Sequence, residues 1–189
     1  MKIIGHRGAA GLALENTIES IRVAIATGVD AIEIDVRTTK DNKLVLCHDK
    51  NTGNISEDSY TINELSLSNL QKVKLHNGEF LATLEQAIKT ASGTALVIEG
   101  KDNHWARPLS KTLKSYKNLP EFRVISFNHQ ELYTFSQLNS KIPVYALENT
   151  NPFEVIRTAR VLGFNGVDIN FWLLNPLTYF WHESTNSTL

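Results

Sequence analysis

Short apolar runs alternate with amphipathic segments along the chain. Seven runs are rich in Val, Ile, Leu and Ala and show no clean polar alternation, which is typical of strands covered on both faces. These runs are residues 2–5, 31–36, 43–47, 95–98, 123–126, 143–147 and 166–169. Helical spacing of apolar residues fills most of the intervals, so the pattern predicts βα units and a parallel sheet.

The predicted helices have recognisable start and stop signals. One follows the Asn16-Thr17 cap and ends at Gly28, and a second runs from Thr83 to Gly93. Further helices are predicted over 106–118, 129–139, 152–162 and 173–182. The fold class is therefore α/β, a TIM (β/α)8-type barrel.

The eighth strand that such a barrel needs is not found after Asn170, where a helix-like stretch and a polar tail follow. We therefore expect a barrel lacking its eighth strand, with unpaired edges on the first and seventh strands. The chain is expected to be one domain over 1–189. A polar loop insertion at about 50–80, with a short helix near 63–72, is expected to interrupt this domain and to lie over the barrel mouth.

Composition excludes several classes of protein. The formal net charge is −1 with scattered cations, which does not favour a nucleic-acid partner. No apolar stretch reaches the roughly 20 residues of a membrane span, and the N-terminus lacks the features of a signal peptide. The one cysteine, Cys47, rules out an intramolecular disulfide and is expected to fill the core. Together these features predict a cytoplasmic location.

Four polar clusters each stand at the end of an apolar run. In an α/β barrel the C-terminal ends of the strands carry the chemistry, so the clusters are expected to meet on one rim. They are His6-Arg7-Gly8, Glu33-x-Asp35, His48-Asp49 and Glu99-x-Lys101.

The carboxylates of the clusters suggest a metal site. Glu33 and Asp35 are two residues apart on a strand and therefore point to the same face, and Glu99 ends another strand. Three converging carboxylates repel one another unless a cation lies between them, and oxygen ligands favour Mg²⁺ or Ca²⁺. The alternative is that Glu33 and Asp35 form salt bridges with Arg7 or Lys101.

The remaining residues of the clusters suit phosphate chemistry. A single histidine is more often structural than catalytic, but His6 and His48 together beside carboxylates favour an acid–base pair. Asp49 either orients a histidine or begins the loop. Arg7 and Lys101 would supply positive charge to a phosphate, and Gly8 allows a sharp turn.

Taken together, these motifs resemble the glycerophosphodiester phosphodiesterase family of metal-dependent TIM barrels. The matching segments are His6-Arg7-Gly8, Glu15-Asn16-Thr17, Glu33-Ile34-Asp35-Val36, Val45-Leu46-Cys47-His48-Asp49, Leu81-Ala82-Thr83-Leu84-Glu85, Glu99-x-Lys101, Ser126-Phe127 and Asp168-x-Asn170. Leu14 and Ala82 stand where the family usually has proline, and the family's last strand is not found.

The resemblance implies site roles and a reaction. Glu33, Asp35 and Glu99 would bind one divalent cation, Mg²⁺ or Ca²⁺. His6 and His48 would be the acid–base pair, and Arg7 and Lys101 would contact the phosphate. The implied reaction is hydrolysis of a small-molecule glycerophosphodiester to glycerol 3-phosphate and an alcohol, through a cyclic phosphate.

Two other functions stay open. The first is a shortened, weakly active or inactive protein that serves as a binding or association module. It would form a homo-oligomer through aromatic residues on the incomplete C-terminal side, which are Phe171, Trp172, Tyr179, Phe180 and Trp181. The second is action on a lysophospholipid or sphingolipid head group, decided by loops 50–80 and 102–108.

Overall fold

A computed structural model describes residues 2–116 and 121–170. The strands are β1 (Ile4–Gly5), β2 (Ala31–Thr38), β3 (Leu44–Leu46), β4 (Ala95–Gly100), β5 (Phe122–Ser126), β6 (Val144–Glu148) and β7 (Gly166–Ile169). The helices are α1 (Ile18–Ala26), α2 (Leu67–Leu70), α3 (Leu84–Ala91), α4 (Ala106–Lys114), α5 (His129–Leu138) and α6 (Pro152–Leu162). Within these residues no helix has the length and apolar character needed to cross a membrane.

The sheet follows the order β1-β2-β4-β5-β6-β7, and every neighbouring pair along this path is parallel. A helix follows each of these strands except β2 and β7 in the described chain. This confirms the predicted α/β fold of the barrel type. The predicted helix over 173–182 and the aromatic residues that follow Asn170 lie outside the described residues.

Strand β3 departs from the predicted parallel arrangement. It pairs antiparallel with β2, in a register that places Leu46 opposite Val36 and Leu44 opposite Thr38. The chain therefore passes beyond the end of β2, turns at Asn42 with a φ of 56°, and comes back along β2. His48 therefore follows an antiparallel strand that runs back towards the acids, and it does not stand at the end of a parallel strand.

The two faces of the sheet bury different side chains. One face packs against the helices through a large apolar core that includes Ile32, Ile34 and Ile98. The opposite face carries a smaller apolar cluster of Ala31, Val97, Ile125 and Leu147. Because side chains alternate along a strand, Glu33, Asp35 and Glu99 lie on this second face, above the small cluster. The sequence pattern predicted this placement.

Residues 50–80 form more than a polar loop. They contain a 3₁₀ turn (Ile62–Glu64) and α2, which matches the predicted short helix near 63–72. The segment also shares a buried core with β3 and the residues next to it, which the polar composition did not indicate. That core consists of Val45, Cys47, Ile55, Ile62, Leu70, Leu75 and Leu81. Burial raises the pKa of the Cys47 thiol to about 12, in keeping with its predicted role as core filler.

Candidate active site

Three carboxylates converge at the C-terminal ends of β2 and β4. Asp35 and Glu99 are directly opposite each other in the parallel register, and Glu33 is two residues earlier on β2. One oxygen from each of the three carboxylates lies within 4.8 Å of the others. Glu33 and Asp35 are buried, at 6% and 1% exposure. The sequence prediction that these acids share one face therefore agrees with the structure.

Burial and mutual repulsion disfavour the charged forms of two of these carboxylates. Burial, and after it repulsion from Asp35, raises the pKa of Glu33 to about 8. Burial also raises the pKa of Glu99 above its ordinary value. The Oε1 atom of Glu33 is buried and has no hydrogen-bond partner among the described residues. A divalent cation, which prefers oxygen ligands, would satisfy this atom and neutralise the cluster.

Two cations of the chain already flank the acids. The Lys101 Nζ atom lies 2.7 Å from Glu99 Oε1 and 3.5 Å from Asp35 Oδ1. The Arg7 Nε atom lies 3.5 Å from Asp35 Oδ2, so the salt bridges of the alternative interpretation are present for Asp35; among the described residues none joins Glu33 to Arg7 or Lys101. Neither cation satisfies Glu33 Oε1, so the ion pairs leave one ligand atom available. The cluster is thus compatible with a metal in addition to its lysine and arginine.

The backbone after His6 is shaped by the same glutamate. The Arg7 amide donates to Glu33 Oε2 at 2.8 Å, and the Gly8 amide donates to the Glu33 carbonyl at 2.9 Å. Arg7 and Gly8 both have left-handed backbones, with φ of 50° and 86°. A Cβ atom on Gly8 would lie 2.2 Å from the Ser20 hydroxyl oxygen, so glycine is required there. The Arg7 guanidinium makes two hydrogen bonds to Glu15, at 3.0 and 2.9 Å.

The two histidines stand on the same rim. The His6 ring is 70% exposed, with Nε2 3.9 Å from Glu33 Oε2. Burial, followed by the charge of Arg7, lowers the pKa of His6, and His48 contributes in the same direction. His48 Nδ1 is 2.8 Å from Asp49 Oδ1, so this carboxylate orients the ring. Because Nδ1 faces an acceptor, the neutral ring keeps Nε2 free to accept a proton.

Asn16 is a site residue that the sequence prediction missed. Its Nδ2 donates to Asp35 Oδ2 at 2.8 Å, and its Oδ1 accepts from the Asp35 amide at 3.0 Å. Of the predicted Asn16-Thr17 cap, Thr17 caps the helix, since its hydroxyl accepts from the Ser20 amide. Asn16 is 1% exposed and has a left-handed φ of 55°. The buried Asn16 amide therefore holds the Asp35 carboxylate with one hydrogen bond and the Asp35 backbone with the other.

Replacing Asn16 with alanine is expected to lower metal affinity by about 10- to 100-fold, because Asp35 would lose the partner that orients it. Isothermal titration of the metal-stripped protein with Mg²⁺ and Ca²⁺ measures this directly. Asn42→Ala is a matched control, since Asn42 has nearly the same φ of 56° but lies in the β2–β3 turn. Equal affinities in the two variants would contradict a role for Asn16 at the acids.

Two open grooves adjoin the acidic cluster. One, of about 490 Å³, is lined by Arg7, Ala10, Gly11, Ala13, Leu14, Glu15, His48, Asp49, Asn54 and Ile55. The other, of about 750 Å³, runs from Lys101 and Asp102 along Lys40, Asn42, Lys50 and Asn63 to Asn128. A ligand bound at the cluster therefore has room on both sides, and the second groove has three lysines in its lining, Lys40, Lys50 and Lys101.

The model of the glycerophosphoryl diester phosphodiesterase family matches residues 6–178 of the chain. The chain belongs to this family. The family covers every candidate residue named above, and the predicted membership and enzyme class, a phosphoric diester hydrolase, are confirmed. Membership does not by itself assign a role to any one of these residues.

Curated relatives agree with the family. The chain is 30% identical to YhdW of Bacillus subtilis, over 94% of this chain and 79% of that protein. It is 28% identical to the glycerophosphodiester phosphodiesterase of Caldanaerobacter subterraneus, over 69% of this chain. The chain spans 59% of that second relative's length.

Solved structures share the fold. A phosphodiesterase of Oleispira antarctica, in complex with the product sn-glycerol-3-phosphate, has a TM-score of 0.89 at 23% identity. The match covers 98% of this chain and 81% of that chain. A glycerophosphodiester phosphodiesterase from Parabacteroides distasonis has a TM-score of 0.76 at 29% identity, over 97% of this chain and 76% of that one. These matches support the barrel-type architecture.

Proposed function

We propose that the protein hydrolyses glycerophosphodiesters to glycerol 3-phosphate and an alcohol. The observation that carries the proposal is one rim on which three carboxylates, two of them buried, meet two cations and two histidines in a member of this family. The product bound to the Oleispira relative supports the same class of substrate.

Glu33, Asp35 and Glu99 would hold one divalent cation, Mg²⁺ or Ca²⁺. The unpartnered Oε1 atom of Glu33 supports this assignment, since a buried carboxylate oxygen without a donor is costly. When bound, the cation supplies positive charge to the phosphoryl oxygens. Lys101 stays beside Glu99 and Asp35, where it limits their mutual repulsion and adds charge at the phosphate.

His6 and His48 would move the protons. As the neighbouring glycerol hydroxyl attacks phosphorus, one imidazole takes its proton while the other protonates the departing alcohol oxygen. A water then opens the cyclic phosphate, and the two rings act in the opposite sense to give glycerol 3-phosphate. Asp49 holds His48 at Nδ1, which leaves Nε2 for proton transfer.

Arg7 would contact the phosphate from the other side of the cluster. Its guanidinium is fixed by two bonds to Glu15, and its Nε is buried without a hydrogen-bond partner in the part of the chain that is described. A pre-oriented arginine of this kind suits phosphate oxygens. The two grooves beside the cluster would receive the glycerol and the alcohol.

The proposal is tested by incubating the purified protein with Mg²⁺ or Ca²⁺ and a panel of glycerophosphodiesters that differ in the alcohol, together with a lysophospholipid. Release of glycerol 3-phosphate, measured by a coupled dehydrogenase assay, is the expected result. Absence of turnover on every diester, with the protein folded and metal bound, would favour the binding-module alternative.

Several other sequence predictions are still predictions. The association module rested on aromatic residues that lie outside the described part of the chain. A homo-oligomer, the absence of a nucleic-acid partner, the cytoplasmic location and the single-domain boundary over 1–189 also stay predictions.

A further inference from the structure

The side chain of Arg37 reaches the candidate acid–base residue His48 from the neighbouring strand. Arg37 lies on β2 two residues after Asp35 and is 5% exposed. Its Nε and Nη2 atoms both donate to the His48 carbonyl oxygen, at 3.0 and 2.6 Å. A charged guanidinium that gives two donors to one carbonyl fixes that peptide more firmly than a neutral donor would.

The third guanidinium nitrogen of Arg37 links the His48 carbonyl to the segment that follows β4. Arg37 Nη1 forms an ion pair with Asp102, the residue directly after Lys101. Arg37 therefore joins two segments that are far apart in sequence, the return of the β2–β3 hairpin and the end of β4. Its charge is balanced by Asp102, so the buried cation has a partner as burial requires.

We propose that Arg37 is a positioning residue that holds the His48 backbone, and through it the imidazole, at the height of the metal-binding carboxylates, with Asp102 holding Arg37. The proposal rests on the proposed role of His48 in proton transfer. The hairpin strand is held to β2 as far as Cys47, whose amide donates to the Asp35 carbonyl at 3.2 Å, and Arg37 holds the next carbonyl along the chain, that of His48. Asp49 sets the rotation of the ring, and Arg37 sets the position of its backbone.

Direct contact of Arg37 with the phosphate is the competing role. The side chain of Arg37 is 7% exposed, and each of its three nitrogen atoms already has a partner. Arg7 and Lys101, by contrast, lie directly beside the acidic cluster. A phosphate contact would raise KM on removal, whereas a positioning role would lower kcat.

The test is a double-mutant cycle between Arg37→Met and His48→Ala, with glycerol 3-phosphate release as the assay. In the native background Arg37→Met is expected to lower kcat by about 10- to 100-fold with KM nearly unchanged, because small misplacements of a catalytic group cost this much. In the His48→Ala background the same change is expected to alter kcat by less than about twofold.

Three further variants make the result decisive. Arg37→Lys keeps the charge and one donor nitrogen, so it should lose less activity than Arg37→Met. Asp102→Asn should lose part of the native activity. These two carry the test if thermal unfolding shows that Arg37→Met is not folded. Arg123→Met removes the ion pair between Arg123, on β5, and Glu121, the residue before that strand, and is the control, with unchanged activity expected.

Each outcome has a distinct meaning. Equal losses from Arg37→Met in both backgrounds, a rise in KM alone, or full activity in all Arg37 variants would overturn the positioning role. Full activity in His48→Ala would instead overturn the proposed function of His48. The two failures are therefore distinguishable.

Discussion

Replacing His48 with alanine is expected to lower kcat by about a hundred- to ten-thousandfold, the usual contribution of a general acid or base. His48 has the orientation that this role needs, since Asp49 holds Nδ1 and leaves Nε2 for the substrate. The acids and cations that hold metal and phosphate are unchanged in this variant, so KM should change little. Steady-state release of glycerol 3-phosphate gives both constants. His6→Ala is expected to behave in the same way.

His76→Ala is a suitable control for the histidine variants. His76 is exposed in the 50–80 segment, and it lines a different groove from those at the acidic cluster. Its replacement should leave kcat within about twofold of the native value, as for a surface position without a role. Turnover that survives in the double variant of His6 and His48 would rule out the proposed proton transfers.

Replacing Asp35 with asparagine is expected to abolish tight binding of the divalent cation and lower kcat by at least roughly a hundredfold. Asp35 is the most buried acid of the cluster, and its loss removes a ligand charge that solvent cannot replace. The new amide would also face the Nδ2 donor of Asn16, which now bonds Asp35 Oδ2. Calorimetric titration with Mg²⁺ and Ca²⁺ measures the binding.

Chelation of the native protein should have the same effect on turnover and should be reversed by adding back Mg²⁺ or Ca²⁺. Asp58→Asn is the control variant, because Asp58 lies in the 50–80 segment and contacts Tyr60 instead of the cluster. Full activity after exhaustive chelation, with metal content confirmed as negligible by elemental analysis, would contradict the metal-dependent mechanism.

The placement of the acids was accessible from the sequence. Glu33 and Asp35 alternate with Ile32, Ile34 and Val36, so period-two geometry alone separates the carboxylates from the face that packs on helices. The order of the parallel strands follows from the alternation of strands and helices, because connections are short and right-handed. For these features local pattern and global fold point to the same answer.

The direction of β3 was predicted wrongly for an identifiable reason. A short apolar run has the same composition in a parallel strand and in the second strand of a hairpin, so periodicity does not separate them. The missed signal was the interval of five residues, 39–43, between β2 and β3. That interval is too short for a crossover helix, and it contains Asp41-Asn42, a turn sequence.

Asn16 and Arg37 could not be assigned from the sequence. Asn16 looks like a cap because it precedes a helix, and only the folded chain brings it to Asp35, which is 19 residues away. The Asp102 partner of Arg37 is 65 residues away, so no local spacing indicates the contact. Residues that orient a site through buried hydrogen bonds depend on tertiary structure and become visible only there.

All the candidate metal, acid–base and phosphate residues come from β1, β2, β4 and the hairpin, within the first 101 positions of the chain. The chemical half of the sheet is therefore separate from the half formed by β5, β6 and β7. The two grooves beside the cluster are lined mainly by loop residues of the ranges 10–14, 39–42, 50–64 and 102–104, with Asn128 from the later half. Because these loops carry none of the candidate metal, acid–base or phosphate residues, a graft of them from a relative would be a direct route to a phosphodiesterase with new selectivity.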